Sequence, residues 1–172
     1  VIQLVTNTGD ISMRPGALIQ TAGTVTITST SGDIALAQVQ SQGAVTISTA
    51  GKITDAETGF VVDTLTGDLT DQPIANISTT GTLSVTATGS IGTSGNGLVI
   101  NVAMITALNA GVNDLNVDLV TAVTTTISML DAKSASIATL NTVEFGANNW
   151  AVSEDLNLIS GDGITQSGTV TV

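Results

Sequence analysis

Carboxylates are the chemically capable side chains of this chain. It contains no His, Cys or Tyr. Without His it lacks the commonest general base, and without His and Cys it lacks the usual means of holding zinc or attacking through a thiolate. Neither a Ser-His-Asp nor a Cys-His constellation can be assembled. No Walker or dinucleotide glycine fingerprint is present. What remains is 14 Asp and Glu against three basic residues, Arg14, Lys52 and Lys133. The densest acidic group is Asp55, Glu57, Asp63, Asp68 and Asp71. A second set recurs after glycine, as Gly9-Asp10, Gly32-Asp33, Gly67-Asp68 and Gly161-Asp162.

Calcium binds through several carboxylate and carbonyl oxygens, so both sets are candidate ligands. The recurring Gly-Asp pairs have a simpler reading, in which each Asp caps its own turn. They lack the dense Gly and Asp spacing of calcium-binding β-rolls. No cofactor is therefore expected, and Asp55, Glu57, Asp63, Asp68 and Asp71 are the calcium candidates. Carboxylate pairs also serve polysaccharide-cleaving enzymes. Asp68 with Asp71, or Glu154 with Asp155, would be the pairs here. Such enzymes also use aromatic platforms, and the chain offers only Phe60, Phe145 and Trp150. No catalytic residue is assigned, and the chain is not expected to be an enzyme. Asn76-Ile-Ser78 is a glycosylation sequon of the kind that arises by chance.

The net charge of −11 excludes a basic groove for nucleic acid and opposes adsorption to anionic membranes. No apolar run approaches the length of a membrane-crossing helix. The absence of Cys carries no compartment signal. With no starting Met and strand-like residues at both ends, the chain reads as an excerpt of a longer polypeptide.

The elements that must position these groups come from a repeat. Gly23-Thr-Val-Thr-Ile-Thr-Ser-Thr-Ser-Gly32-Asp-Ile is followed by Gly43-Ala-Val-Thr-Ile-Ser-Thr-Ala-Gly51-Lys-Ile and by Gly81-Thr-Leu-Ser-Val-Thr-Ala-Thr-Gly89-Ser-Ile. Later copies begin at Asp155 and Gly168. Gly23 to Gly43 is 20 residues, and Gly43 to Gly81 is 38, which reads as two repeats with Gly67-Asp-Leu69 between them. A period near 20 belongs to solenoids, whose units bury a core only by stacking. Aliphatics alternate with Thr and Ser in Val25-Thr-Ile27, Val45-Thr-Ile47, Leu83-Ser-Val85 and Leu156-Asn-Leu158, so the aliphatics point inward. Ile34, Ile53, Ile91 and Ile164 begin a second inward-facing strand after the corner. The glycines suit corners that need positive φ. An interior of this width has little room for Phe or Trp. The outward Thr rows suggest ice binding, but unequal periods would misalign a Thr ladder. Pro15 and Pro73 read as corner or insertion residues. Residues 121–140 fit either helix or irregular rungs and are kept in the solenoid.

The Gly-x-Val-x-Ile-x-(small)-Gly-Asp-Ile unit resembles the repeats of filamentous-haemagglutinin-type exoproteins, adhesins exported by two-partner secretion. The resemblance implies a right-handed parallel β-helix of three-strand rungs at the bacterial cell surface or outside the cell. It covers residues 1–95 and 153–172 well and 96–152 poorly. The expected fold is one all-β solenoid segment over 1–172, with regular repeats in 1–95 and 153–172 and eight or nine rungs. β-sandwich repeats are the alternative. The expected function is that of a structural rod, with a self-associating fibre or biofilm-matrix protein as the alternative and a β-helix polysaccharide-acting enzyme behind both. Expected partners are other copies or neighbouring rungs of the same chain, with any host or cell-surface ligand bound outside the segment. No nucleic acid and no membrane insertion is expected.

Overall fold

The computed structural model describes residues 1–57, 60–62, 69–146 and 150–172, with the side chains of 60–62 and 69–73 outside the description. The described residues form short strands and no helix. They stack as a β-solenoid of about seven turns of about 21 residues. One wall runs through Ile2–Thr6, Val25–Ser29, Val45–Thr49, Thr82–Ala87, Met104–Asn109, Thr125–Ile127, Val143–Phe145 and Ile164–Gln166. A second runs through Leu18–Thr21, Gln38–Ser41, Ile77–Thr79, Leu98–Asn101, Leu115–Leu119, Ala135–Thr139 and Leu156–Ser160. A short third wall joins Ile11–Ser12, Ile34–Leu36 and Ile53–Asp55. Every pairing within these walls is parallel, which no antiparallel sandwich of hairpins would give.

Alternation explains the walls. Val25, Ile27, Val45, Ile47, Leu83 and Val85 are buried, while Thr26, Thr46 and Ser84 are not. In-register pairing then stacks like on like. Val25, Val45, Leu83, Ile105, Ile127 and Phe145 form one column. Ile34, Ile53, Ile91 and Leu115 form another. Ile164 shares the face of buried Val143, with which it pairs in the long wall, and not the Ile34–Ile53–Ile91 column; it is 48% exposed, on a turn with a described neighbour on one side only. Residues 121–140 contribute strands at Thr125–Ile127, Leu130–Ala132 and Ala135–Thr139, so the helical option is excluded.

The structure corrects three expectations. First, Gly43 to Gly81 spans one turn and not two, because Val45 pairs directly with Leu83. The extra length holds an antiparallel pair, Phe60–Val62 with Leu69–Pro73, that belongs to neither long wall. A period cannot distinguish two rungs from one rung carrying an insertion. The long wall has eight strands along its path, and the solenoid about seven turns, fewer than the eight or nine rungs expected.

Second, aromatic rings do enter the core. Trp150 is fully buried and Phe145 nearly so, their ring centroids 4.1 Å apart. Here the long wall bends, so that Thr125–Ile127 and Leu130–Ala132 both pair with Met104–Asn109. The Trp150 indole N–H donates to the Ile127 carbonyl at 3.1 Å, as a buried indole requires.

Third, the repeat glycines are not there for positive φ. Among the described glycines that conformation occurs at Gly9, Gly16, Gly92, Gly95 and Gly111, of which only Gly9 belongs to a recurring glycine pair. Gly32, Gly43, Gly51, Gly81 and Gly89 are pressed against the turn below. A Cβ at Gly81 would lie 2.5 Å from the Gly43 carbonyl carbon and 2.8 Å from the Ala44 nitrogen. Gly81→Ala should therefore cost about 1–3 kcal/mol or more, since backbone must move to admit the methyl. A urea midpoint equal to that of the parent chain would show that the corners can separate freely.

Buried hydroxyls staple these corners. The Thr79 hydroxyl accepts from the Gly81 N–H at 3.0 Å and donates to the Gly43 carbonyl at 2.6 Å. Ser29 does the same between Gly32 and Gly9, and Thr49 between Gly51 and Gly32. Each staple pairs a corner N–H with a carbonyl of the turn below through one buried hydroxyl.

Candidate functional site

Of the five acidic residues grouped in sequence, Asp63 and Asp68 lie outside the described residues, as does the side chain of Asp71. Asp55 and Glu57 are placed, and both are already engaged. Glu57 accepts from the Gly16 N–H at 3.0 Å and from the Gln38 amide at 3.1 Å. Asp55 accepts from the Glu57 N–H at 2.6 Å and from the Asn76 side-chain amide. Among the described residues no three acidic side chains gather as a metal site.

Asn76 is the centre of this region, and it is fully buried. Its amide nitrogen donates to the Leu36 carbonyl at 3.0 Å and the Ala37 carbonyl at 3.1 Å, besides Asp55. Its amide oxygen accepts from the Val99 N–H at 2.8 Å. One side chain thus joins the turn below, its own turn and the turn above, at the place where the chain returns from the inserted hairpin. In the folded chain this sequon amide is not free to carry a glycan.

Asp118 lies next to the same region, close to Gly97, where a Cβ would be 2.8 Å from its carboxylate. Burial raises the Asp55 pKa, against the lowering effect of its hydrogen bonds from Asn76 and Glu57, and the Glu57 charge adds to the rise. Burial also raises that of Asp118, and the Asp55 charge adds to it. A carboxyl whose folded pKa lies above its unfolded value contributes stability that is full below the unfolded pKa and lost as pH rises through the folded pKa. Asp118→Asn should therefore raise the melting temperature at pH 7, and the gain should shrink as pH falls into the carboxylate range. Melting curves across that range check this, and a gain that grew on acidification would contradict it.

Asp10 and Asp33 cap turns, but not their own. The Asp10 carboxylate accepts from the Asp33 N–H at 2.8 Å, one turn away. Asp33 in turn accepts from the Lys52 N–H at 2.9 Å, and the Lys52 ammonium lies 3.8 Å from it. Asp162 is exposed on the last turn. These bonds occupy oxygens that calcium would need, so EDTA should leave the melting temperature unchanged. A drop that calcium reverses would establish a bound ion.

Glu154 and Asp155 sit side by side on a groove of about 530 Å³. Its floor is a ladder in register, Asn116 beside Ser136 beside Asn157, on three successive turns. Asp114 and Asp155 line it, with a Lys133–Glu154 ion pair at 3.3 Å. The 92–97 loop lines one side, closed by mutual Thr93 and Asn96 backbone bonds of 3.0 Å. Gly92 seats that loop: its φ is +65°, and a Cβ would lie 2.2 Å from the Asn116 carbonyl. A second groove is lined by Gln20, Gln40, Ser78 and Asn101, which are also in register. Sequence reasoning missed both ladders. Their signal was polar residues at outward positions, but only pairing shows that they align.

The groove lies partly in the region where a known family is recognisable. Residues 132–172 match the model of a family described as repeats of unknown function (DUF5649). The DUF5649 match holds the strands from Ala135–Thr139 to Val170–Thr171, and includes Ser136, Asn157, Lys133, Glu154 and Asp155 of the groove. No curated protein and no solved structure matches the chain.

Proposed function

We propose that the chain is a shaft segment of a secreted or cell-surface bacterial adhesin of the filamentous-haemagglutinin type, and that it performs no catalysis of its own. The observation that carries this reading is the parallel ladder that passes from Ile2–Thr6 to Ile164–Gln166, with one register shift after Leu83, backed by aliphatic columns. Each turn advances by about 4.8 Å, so seven steps span about 34 Å. Among the described residues no buried side-chain nitrogen or oxygen lacks a hydrogen-bond partner. A fold built in this way resists local opening and converts chain length into distance. Trp150 and Phe145 are packed inside, which removes two of the three aromatic residues from a sugar platform.

The partners that fit are further turns of the same chain or other copies of it. The first and last turns present Leu4, Val5, Leu18 and Ile164 to solvent. Protease shaving of intact cells producing the full polypeptide tests the reading, together with electron microscopy of the released material. Release of a rod from the cell surface is the expected result. Protection of the protein until cells are broken would overturn the location, and bundled filaments in place of single rods would favour a matrix fibre over a spacer.

A further inference from the structure

We propose that the groove beside the 92–97 loop binds a neutral, polyhydroxylated saccharide. This goes beyond the shaft reading, in which the wall is inert.

The floor presents Asn116, Ser136 and Asn157 in register, about 4.8 Å apart. Amides and hydroxyls donate and accept at once, as sugar hydroxyls do. Above the floor, Asp114 and Asp155 offer acceptors for hydroxyl protons, and the Lys133–Glu154 pair offers a donor beside an acceptor. The volume of about 530 Å³ lies within the range of small-ligand sites, about 300–1,000 Å³. The Thr93–Asn96 closure and the seating of Gly92 hold the loop in place before any ligand arrives. A preformed site loses less entropy on binding.

The same residues disfavour other ligands. A peptide would need an apolar pocket for its anchors, and the side chains facing this groove are mainly polar or charged. Phosphorylated or acidic ligands meet three carboxylates and one ammonium that is already paired. A divalent cation has no three-carboxylate cluster among the described residues. A neutral saccharide needs only hydrogen bonds. With no aromatic face among the lining residues, the dissociation constant should be on the order of 1 mM for a single groove.

Saturation-transfer NMR on the full chain tests this, with maltohexaose, cellohexaose and chitohexaose as probes, first in EDTA and then with calcium in its place. Transfer to at least one hexamer is expected. Asp114→Ala and Asn157→Ala should each weaken it about tenfold. Gln20→Ala, in the other groove, should leave it unchanged. Asp114 and Asn157 are exposed, so the melting temperature should hold in both variants. Absence of transfer from all three hexamers would overturn the proposal. So would undiminished binding in the two variants, equal loss in Gln20→Ala, or binding that appears only when calcium replaces EDTA. None of these outcomes bears on the shaft reading, which rests on cell-surface release.

Discussion

Ile47→Asp should unfold the turns around it, whereas Thr46→Asp should leave the chain folded with a nearly unchanged melting temperature. The two residues are adjacent and differ only in the face they occupy. Ile47 is fully buried between Ile27 and Val85 in one aliphatic column, while Thr46 is exposed. A carboxylate in the Ile47 position has no partner and lies among aliphatic side chains. It costs several kcal/mol, a large part of a total stability of about 5–15 kcal/mol. It cannot snorkel to solvent, because its strand is flanked by strands on both sides. At Thr46 the new charge meets water and Thr26 and Ser84 neighbours. Paired urea titrations followed by circular dichroism check the contrast. Equal shifts of the two midpoints would contradict the division of the wall into inner and outer faces.

Asn76→Leu should be nearly as damaging, although the replacement is apolar and the site is buried. In the parent chain one amide serves the Leu36 and Ala37 carbonyls, Asp55 and the Val99 N–H. Leucine leaves all four without that partner. The Leu36 carbonyl keeps the Ala56 N–H and Asp55 keeps the Glu57 N–H, but the Ala37 carbonyl and the Val99 N–H are left unpaired. Each buried group so orphaned costs about 1–3 kcal/mol, a large part of a total stability of about 5–15 kcal/mol. Asn76→Asp should be worse than leucine at neutral pH. It sets a carboxylate against two carbonyls and the Asp55 carboxylate, with no N–H to offer them. Acidification should recover part of that loss, since a protonated carboxyl can donate. Urea midpoints of both variants near pH 7 and in the carboxylate range measure this. A leucine variant as stable as the parent would show that Asn76 fills space and does not hold the turns together.

These two cases mark what was legible in the residues alone. The inward position of Ile47 follows from Val-Thr-Ile alternation, a local property that survives into the fold because each wall has one dry face. The role of Asn76 does not follow from any local property. It sits in a weak sequon, without periodicity, and its partners are 21 to 40 residues away. The corner aspartates fall between the two. Their capping chemistry was readable, but its target was not, because Asp10 and Asp33 reach the N–H one turn along and not their own. Trp150 shows the same limit: its burial depends on a bend in the long wall that arises from the register of other strands.

By itself the sequence determined the class of this protein. Alternating aliphatics and β-branched residues at a period near 20 require stacked strands, and the lack of His and Cys removes most catalytic chemistry before any coordinate is known. The tertiary structure alone decided the register, and through it the rest. It made the 38-residue interval one turn with an inserted hairpin, turned glycines into contact points between corners, and aligned Asn116, Ser136 and Asn157 into a floor. The reason is physical: periodicity specifies which face a residue occupies, but which residue lies above it depends on how many residues each turn takes to close, and insertions and bends change that number without disturbing the alternation.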